Sequence, residues 1–188
     1  MAKTQYRLFF AVELSPQVKT QLLGLQHRYS DLDARPVPAE NFHITLNFLG
    51  SVNEKKLELI LDHFTDLSLN PFQIKAGPLI YWPKPKILAQ SIVDTQQQLL
   101  LCKKTIDSQL AQIDFFQKEK QTFEPHVTLF RGVEQPPAEF LDCHWQLEVN
   151  AVSLMASNNN RNGVFYQTVE SWSIQDPDIK RRLTGSPF

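Results

Sequence analysis

Two short segments of this chain repeat one another. Phe42 to Gly50 reads FHITLNFLG and Pro125 to Gly132 reads PHVTLFRG. The tetrad His–(Ile/Val)–Thr–Leu therefore occurs twice, 83 residues apart, and each copy soon reaches a glycine. Both segments are rich in β-branched and aromatic residues, the composition of a half-buried strand. A strand sends residues i and i+2 to the same face. Alternation thus puts His43, Thr45 and Asn47 on one face of the first copy and Ile44, Leu46 and Phe48 on the other. In the second copy His126 and Thr128 share a face, opposite Val127 and Leu129. Core packing accounts for the aliphatic face of each. It does not account for a polar face that carries His and Thr twice.

The rest of the chain supplies a setting for two such strands. Tyr6 to Leu14 reads as an opening strand. Ser15 and Pro16 then form an N-cap and first-turn signal for a helix with Val18, Leu22 and Leu25 on its apolar side. ARPVPAE, with prolines 36 and 38, reads as a loop. SVNEKKLELILDHFTDL predicts a second helix, with Leu57, Ile60, Leu61 and Phe64 on one side, and TQQQLLLCKKTIDSQLAQI a third. FQIKA, LIYW and KILAQSIV read as short strands. WQLEVNAVSLMAS and GVFYQTVESWSI read as two more, joined by the turn signal NNNRNG. Hairpins and short strands argue against an all-parallel sheet and for an α+β fold with mainly antiparallel sheets.

Composition narrows the classes of partner. A chain of 188 residues with net charge -1 supports one domain, residues 1–188, and carries no global basic field, so any contact with nucleic acid must be local. No apolar run approaches the ~18 residues of a membrane span, and Leu8 to Val12 is too short for a signal-peptide core. Cys102 and Cys143 stand alone, outside any CxxC pair. These features predict a cytoplasmic protein with no membrane partner, and nothing in them demands more than a monomer.

Imidazole is the side chain that exchanges its proton near neutral pH. If a pseudo-twofold arrangement faces the two strands across a groove, two imidazoles flank one point. One acts as general base and the other as general acid, each contributing about 10²–10⁴-fold. The threonine hydroxyls donate to anionic oxygens. A tetrahedral phosphate, attacked on one side and departing on the other, matches such a pair. A zinc site needs three or four ligands, and neither strand offers HxH, HExxH or an acidic i+2 partner. No metal and no cofactor is expected. Neither GxSxG nor GxxxxGK[ST] occurs.

The paired H-x-T-x segments, with RLFFAVEL before the first and Arg131 after the second, resemble the 2H phosphoesterase superfamily, and within it the bacterial RNA 2′,3′-cyclic phosphodiesterases, also called 2′-5′ RNA ligases. The resemblance spans most of the chain. It implies a bilobal α+β fold, with two pseudo-twofold-related lobes flanked by helices around a central groove, each lobe contributing one motif. It implies metal-independent hydrolysis of a terminal 2′,3′-cyclic phosphate on RNA, or on a nucleotide, to a 2′-phosphomonoester. By position, His43 would be the proton donor to the departing 3′ oxygen and His126 the proton acceptor from water. Thr45 and Thr128 would hold the non-bridging oxygens, and Arg131 would add positive charge to the phosphate. The alternatives are the same chemistry run backward as 2′-5′ ligation, or a nucleotide-binding module without catalysis.

Two residues test the alternation. Strict parity puts Arg131 on the face opposite His126, so it reaches the phosphate only if the strand bends near Phe130 or the side chain folds back. Parity puts Phe130 on the His126 face, where it is the expected contact for the nucleobase, and turns Phe48 into the core. Phe9, Tyr81 and Trp82 are further aromatic candidates. Lys84, Lys86 and the basic run Lys180 to Arg182 read as solvated, and His27, His63 and His144 have no partner motif.

Overall fold

The computed structural model describes residues 5–113, 122–161 and 163–176. Strand β1 (Gln5–Glu13) is followed by helix α1 (Pro16–His27), the two-residue strand β2 (Arg35–Pro36), a 3-10 turn (Ala39–Asn41) and β3 (His43–Asn53). Next come α2 (Glu54–His63), β4 (Leu67–Ser68), β5 (Phe72–Trp82), β6 (Ile87–Val93) and α3 (Gln98–Gln112). The described residues finish with β7 (His126–Arg131), β8 (Gln146–Val149), β9 (Ala151–Asn160) and β10 (Gly163–Gln175). The expected α+β class holds. Among the described residues two five-stranded sheets form, in the orders β3-β1-β9-β10-β4 and β2-β7-β6-β5-β8, and every pairing is antiparallel except β10 with β4.

Each sheet is built on a strand–helix–strand unit whose two strands pair directly: β1–α1–β3 in the first and β6–α3–β7 in the second. A motif strand closes each unit. The helices are exchanged between the units. From α1, the buried Gln26 reaches across to β7 and donates to the Leu129 carbonyl at 2.8 Å. From α3, Asp107 accepts from the Asn47 side chain on β3 at 2.6 Å. Neither half therefore completes its packing alone, and one continuous apolar core runs through both.

Local signals explain most elements. The Ser15 hydroxyl accepts from the Val18 amide at 3.3 Å with Pro16 in the first turn, as expected of an N-cap. Helix α2 is capped by Asn53, whose side chain accepts from the Lys56 amide at 2.9 Å. Phe10, Phe64 and Trp172 pack together in the first sheet's core, where the Trp172 indole donates to the Phe64 carbonyl at 3.1 Å. Burying side chains of this size stabilises the fold by about 1.5–3 kcal/mol each.

Three strand assignments change. FQIKA and LIYW are one strand, β5, which continues irregularly through Gly77 and Pro78. A Cβ at Gly77 would lie 2.5 Å from the Ser91 hydroxyl, so any larger residue there would have to displace that side chain. WQLEVNAVSLMAS is two strands in different sheets. β8 pairs with β5 and β9 with β1, and the chain crosses between sheets at Asn150. Within the ARPVPAE loop, Arg35 and Pro36 pair with β7. Among the described residues no helix is long and apolar enough to cross a membrane. The basic run Lys180 to Arg182 lies outside the described residues.

Candidate active site

The site is made where β3 and β7, in different sheets, come into contact. Each motif strand contains a bulge at the same residue. Beside β3, Phe10 pairs with Asn47 and the next residue, Ala11, pairs with Thr45, so Leu46 is skipped. Beside β7, Leu88 pairs with Phe130 and Ala89 with Thr128, so Leu129 is skipped. An extra residue in one strand reverses the alternation beyond it. His43 and Thr45 remain on the cleft face, but Asn47 turns inward to Asp107 and Phe48 turns out, 64% exposed. His126 and Thr128 remain on the cleft face, but Phe130 turns inward and Arg131 turns out.

That reversal corrects two expectations. Phe130 is only 3% exposed and packs edge-on against Tyr29, so it is a core residue and contacts no base. Phe48 belongs to the cleft side rather than the core; its ring lies 6.1 Å from that of Phe9. The bulge also removes the difficulty with Arg131, whose guanidinium lowers the pKa of both histidines. Gly132 follows at φ 74°, a left-handed conformation that lets the chain turn away at once.

The two histidines are held in the same way. His43 Nδ1 donates to the carbonyl of Asn41 at 2.7 Å, and His126 Nδ1 donates to that of Glu124 at 2.7 Å. In each case the acceptor lies two residues before the histidine. A proton fixed on Nδ1 leaves Nε2 as the working nitrogen of a neutral ring. His43 Nε2 hydrogen-bonds the Thr45 hydroxyl at 3.0 Å. Thr128 sits half-buried on the His126 face, paired with Ala89.

Aromatic walls fix the rings. His43 has Phe9 tilted against it at 4.9 Å and Tyr166 edge-on at 4.9 Å, and His126 has Trp82 edge-on at 4.7 Å. Burial against these walls lowers both pKa values, that of His43 to about 4. The charges of His126, Arg131 and Lys19 depress His43 further, while the Asn41 carbonyl opposes the shift. Coupling of His43 to the charge on His126 places the two rings in one electrostatic site. Burial thus holds both rings toward the neutral form in the free protein.

Several functional neighbours carry no signal in the sequence. Asn41 is buried; its side chain donates to the Val164 carbonyl at 2.8 Å and accepts from the Tyr166 amide at 3.1 Å, so it ties β10 and Tyr166 to the His43 site. Gln26 and the Val37 amide, at 2.8 Å, both donate to the Leu129 carbonyl at the bulge. Of the other aromatic candidates, Phe9 is buried and Tyr81 donates to the carbonyls of Val133 and Glu134. Lys86 is paired with Glu134 at 2.7 Å. Burial raises both thiols, Cys102 to about 12, which keeps them protonated. Among the described residues no group of three or more His, Cys, Asp or Glu is arranged to hold a metal. A polar depression of about 350 Å³ lined by His63, Asp66, Thr105 and Gln109 contains neither motif histidine.

A family model, LigT-like phosphoesterase, matches residues 12–89, the span that carries the first motif. The RNA 2′,3′-cyclic phosphodiesterase of Methanocaldococcus jannaschii is 27% identical over 176 residues, covering 88% of this chain and 99% of that protein. That of Escherichia coli is 28% identical over 176 residues, covering 89% and 96%. The chain resembles the LigT-like phosphoesterases, through that family model and through relatives similar over most of its length. Solved structures agree on the fold of this chain. Escherichia coli LigT in complex with 3′-AMP superposes with a TM-score of 0.77 at 23% identity, covering 91% of this chain and 98% of that one. A further phosphoesterase crystal structure gives 0.80 at 24%, covering 92% and 99%.

Proposed function

We propose that this chain hydrolyses the 2′,3′-cyclic phosphate at an RNA end to a 2′-phosphomonoester, using His43 and His126 as acid and base without a metal. The observation that carries the reading is the matched anchoring of the two rings, each with Nδ1 on the carbonyl two residues before it and Nε2 left for chemistry. Relatives named RNA 2′,3′-cyclic phosphodiesterase, similar over most of the chain, supply the substrate class.

The cyclic phosphate carries one negative charge, which restores basicity to rings depressed by burial and by positive neighbours. His43 enters the reaction protonated and His126 neutral. Water attacks phosphorus opposite O3′ and gives a proton to His126 Nε2. The P–O3′ bond breaks, and O3′ takes the proton from His43 Nε2. The product keeps the phosphate on O2′, and solvent exchange resets the two rings. The assignment of His43 as donor and His126 as acceptor follows the family resemblance, since burial depresses both rings. Thr45, Thr128 and Arg131 face the non-bridging oxygens. Phe48, in the place first expected of Phe130, is the exposed aromatic for the terminal base.

The test is an assay of cyclic-ended oligonucleotides in EDTA that resolves 2′- from 3′-phosphate products. Wild type is expected to yield the 2′-phosphate, with His43→Ala and His126→Ala each slower by about 10²–10⁴-fold. Full turnover by either variant, or a 3′-phosphate product, overturns the reading.

A further inference from the structure

The second sheet has a strand that the first lacks. β3 is the edge of its sheet, whereas β7 is covered by β2, whose only residues are Arg35 and Pro36. Arg35 is the residue directly opposite Arg131. Opposed residues of an antiparallel pair stand about 4.5–5.5 Å apart at Cα and project to the same face, and like charges placed so repel. Both residues are exposed, and among the described residues neither guanidinium has a carboxylate at ion-pair distance. The Arg35 side chain lies across the end of β7, its Nε 3.9 Å from where a Cβ on Gly132 would stand. The Arg131 charge reaches both imidazoles, and Arg35 stands beside Arg131.

A chain of net charge -1 thus places two guanidinia side by side at the mouth of a site for one anion, with no carboxylate partner among the described residues. Two such groups answer two anions. We propose that Arg35 binds the phosphodiester joining the terminal nucleotide to the rest of an RNA strand, which makes a cyclic-ended oligonucleotide, rather than a cyclic mononucleotide, the substrate class of this site. The proposal rests on the cyclic-phosphate reading above. Arg131 serves the reacting phosphate and Arg35 the next one along the backbone. A guanidinium is suited to this because its planar fork meets two phosphate oxygens at once.

The experiment compares three substrates: a 2′,3′-cyclic mononucleotide, a 5′-hydroxyl dinucleotide with a 2′,3′-cyclic end, and the same dinucleotide with a neutral methylphosphonate linkage. Wild type is set against Arg35→Gln and Arg35→Lys. In wild type the phosphodiester is expected to raise kcat/KM about tenfold over both other substrates, the scale of one charge-assisted hydrogen bond. Arg35→Gln abolishes that advantage and leaves the mononucleotide within about twofold, which also shows that the variant is folded. Arg35→Lys retains part of it. An unchanged advantage in Arg35→Gln, an equal loss on all substrates, or full activity on the neutral linkage overturns the proposal. Equilibrium binding of dinucleotides ending in a 2′-phosphate, with charged or neutral linkage, is measured in parallel. If wild type turns over no cyclic substrate, the hydrolytic reading fails, and this binding comparison still decides whether Arg35 holds an internal phosphate.

Discussion

Leu46 and Leu129 hold the same place in the two motifs, and in each case the adjoining strand passes the residue without pairing to it. The functional face of each strand depends on that omission. Without it, Arg131 would point away from His126 and Phe48 would enter the core. The Leu129 carbonyl is held by the Val37 amide and by Gln26 of α1. Beside the other bulge, Asn47 is held by Asp107 of α3.

Removing the brace tests its weight. Gln26→Leu deletes a buried donor to the Leu129 carbonyl and also the 3.0 Å bond to the Val37 carbonyl. A loss of about 1–3 kcal/mol in urea unfolding is expected. Stability within 0.5 kcal/mol of wild type, on the order of an inert surface change, would show that the bulge stands without it.

The two phenylalanines should behave oppositely. Phe130→Ala empties a core position and should cost about 3–5 kcal/mol of stability. Phe48→Ala leaves stability nearly unchanged and weakens binding of a cyclic-ended substrate by about 1–3 kcal/mol, the worth of one stacked base. Denaturation and KM measured on both variants check this. A normal KM in Phe48→Ala removes that ring from the base site.

Protonation of His43 should act against folding. Its folded pKa, about 4, lies below the unfolded value near 6.5, so the unfolded chain binds the proton more tightly. The group contributes nothing above pH 6.5. As pH falls from 6.5 through 4 it costs up to about 3 kcal/mol. His43→Ala should therefore lose less thermal stability than wild type between pH 7 and pH 4.5. Equal losses in the two proteins, read by calorimetry, contradict the buried neutral ring.

An anion in the site should reverse that depression. Inorganic phosphate or a 2′-nucleotide is expected to move the NMR titration of His43 upward by about one unit or more, with proton uptake on binding. The pH–rate profile should be bell-shaped, with limbs that belong to the histidine pair. A His43 resonance that titrates identically with and without ligand, or a flat profile between about pH 5 and 9, argues against paired imidazole catalysis.

Asn41 links the His43 anchor to β10 through three contacts, two from its side chain and one from its carbonyl. Asn41→Ala keeps the carbonyl and releases Tyr166. Its kcat should fall more than KM rises, because the ring loses its orientation rather than its place. Unaltered kcat would make the clamp purely structural.

Alternation and composition alone put His43 with Thr45 and His126 with Thr128, marked the Ser15 cap, and called for antiparallel sheets. These follow from local sterics and a period of two, which hold wherever a strand lies. The tertiary structure decided what happens after the fourth residue of each motif. Whether Phe130 or Arg131 faces the cleft depends on how β6 meets β7, a pairing between residues some forty positions apart. Strand register is set by neighbours, and a single skipped partner inverts every side chain beyond it. The split of WQLEVNAVSLMAS between sheets and the exchange of α1 and α3 have the same origin. Each is a choice of partner made across the whole chain, to which no local period is sensitive.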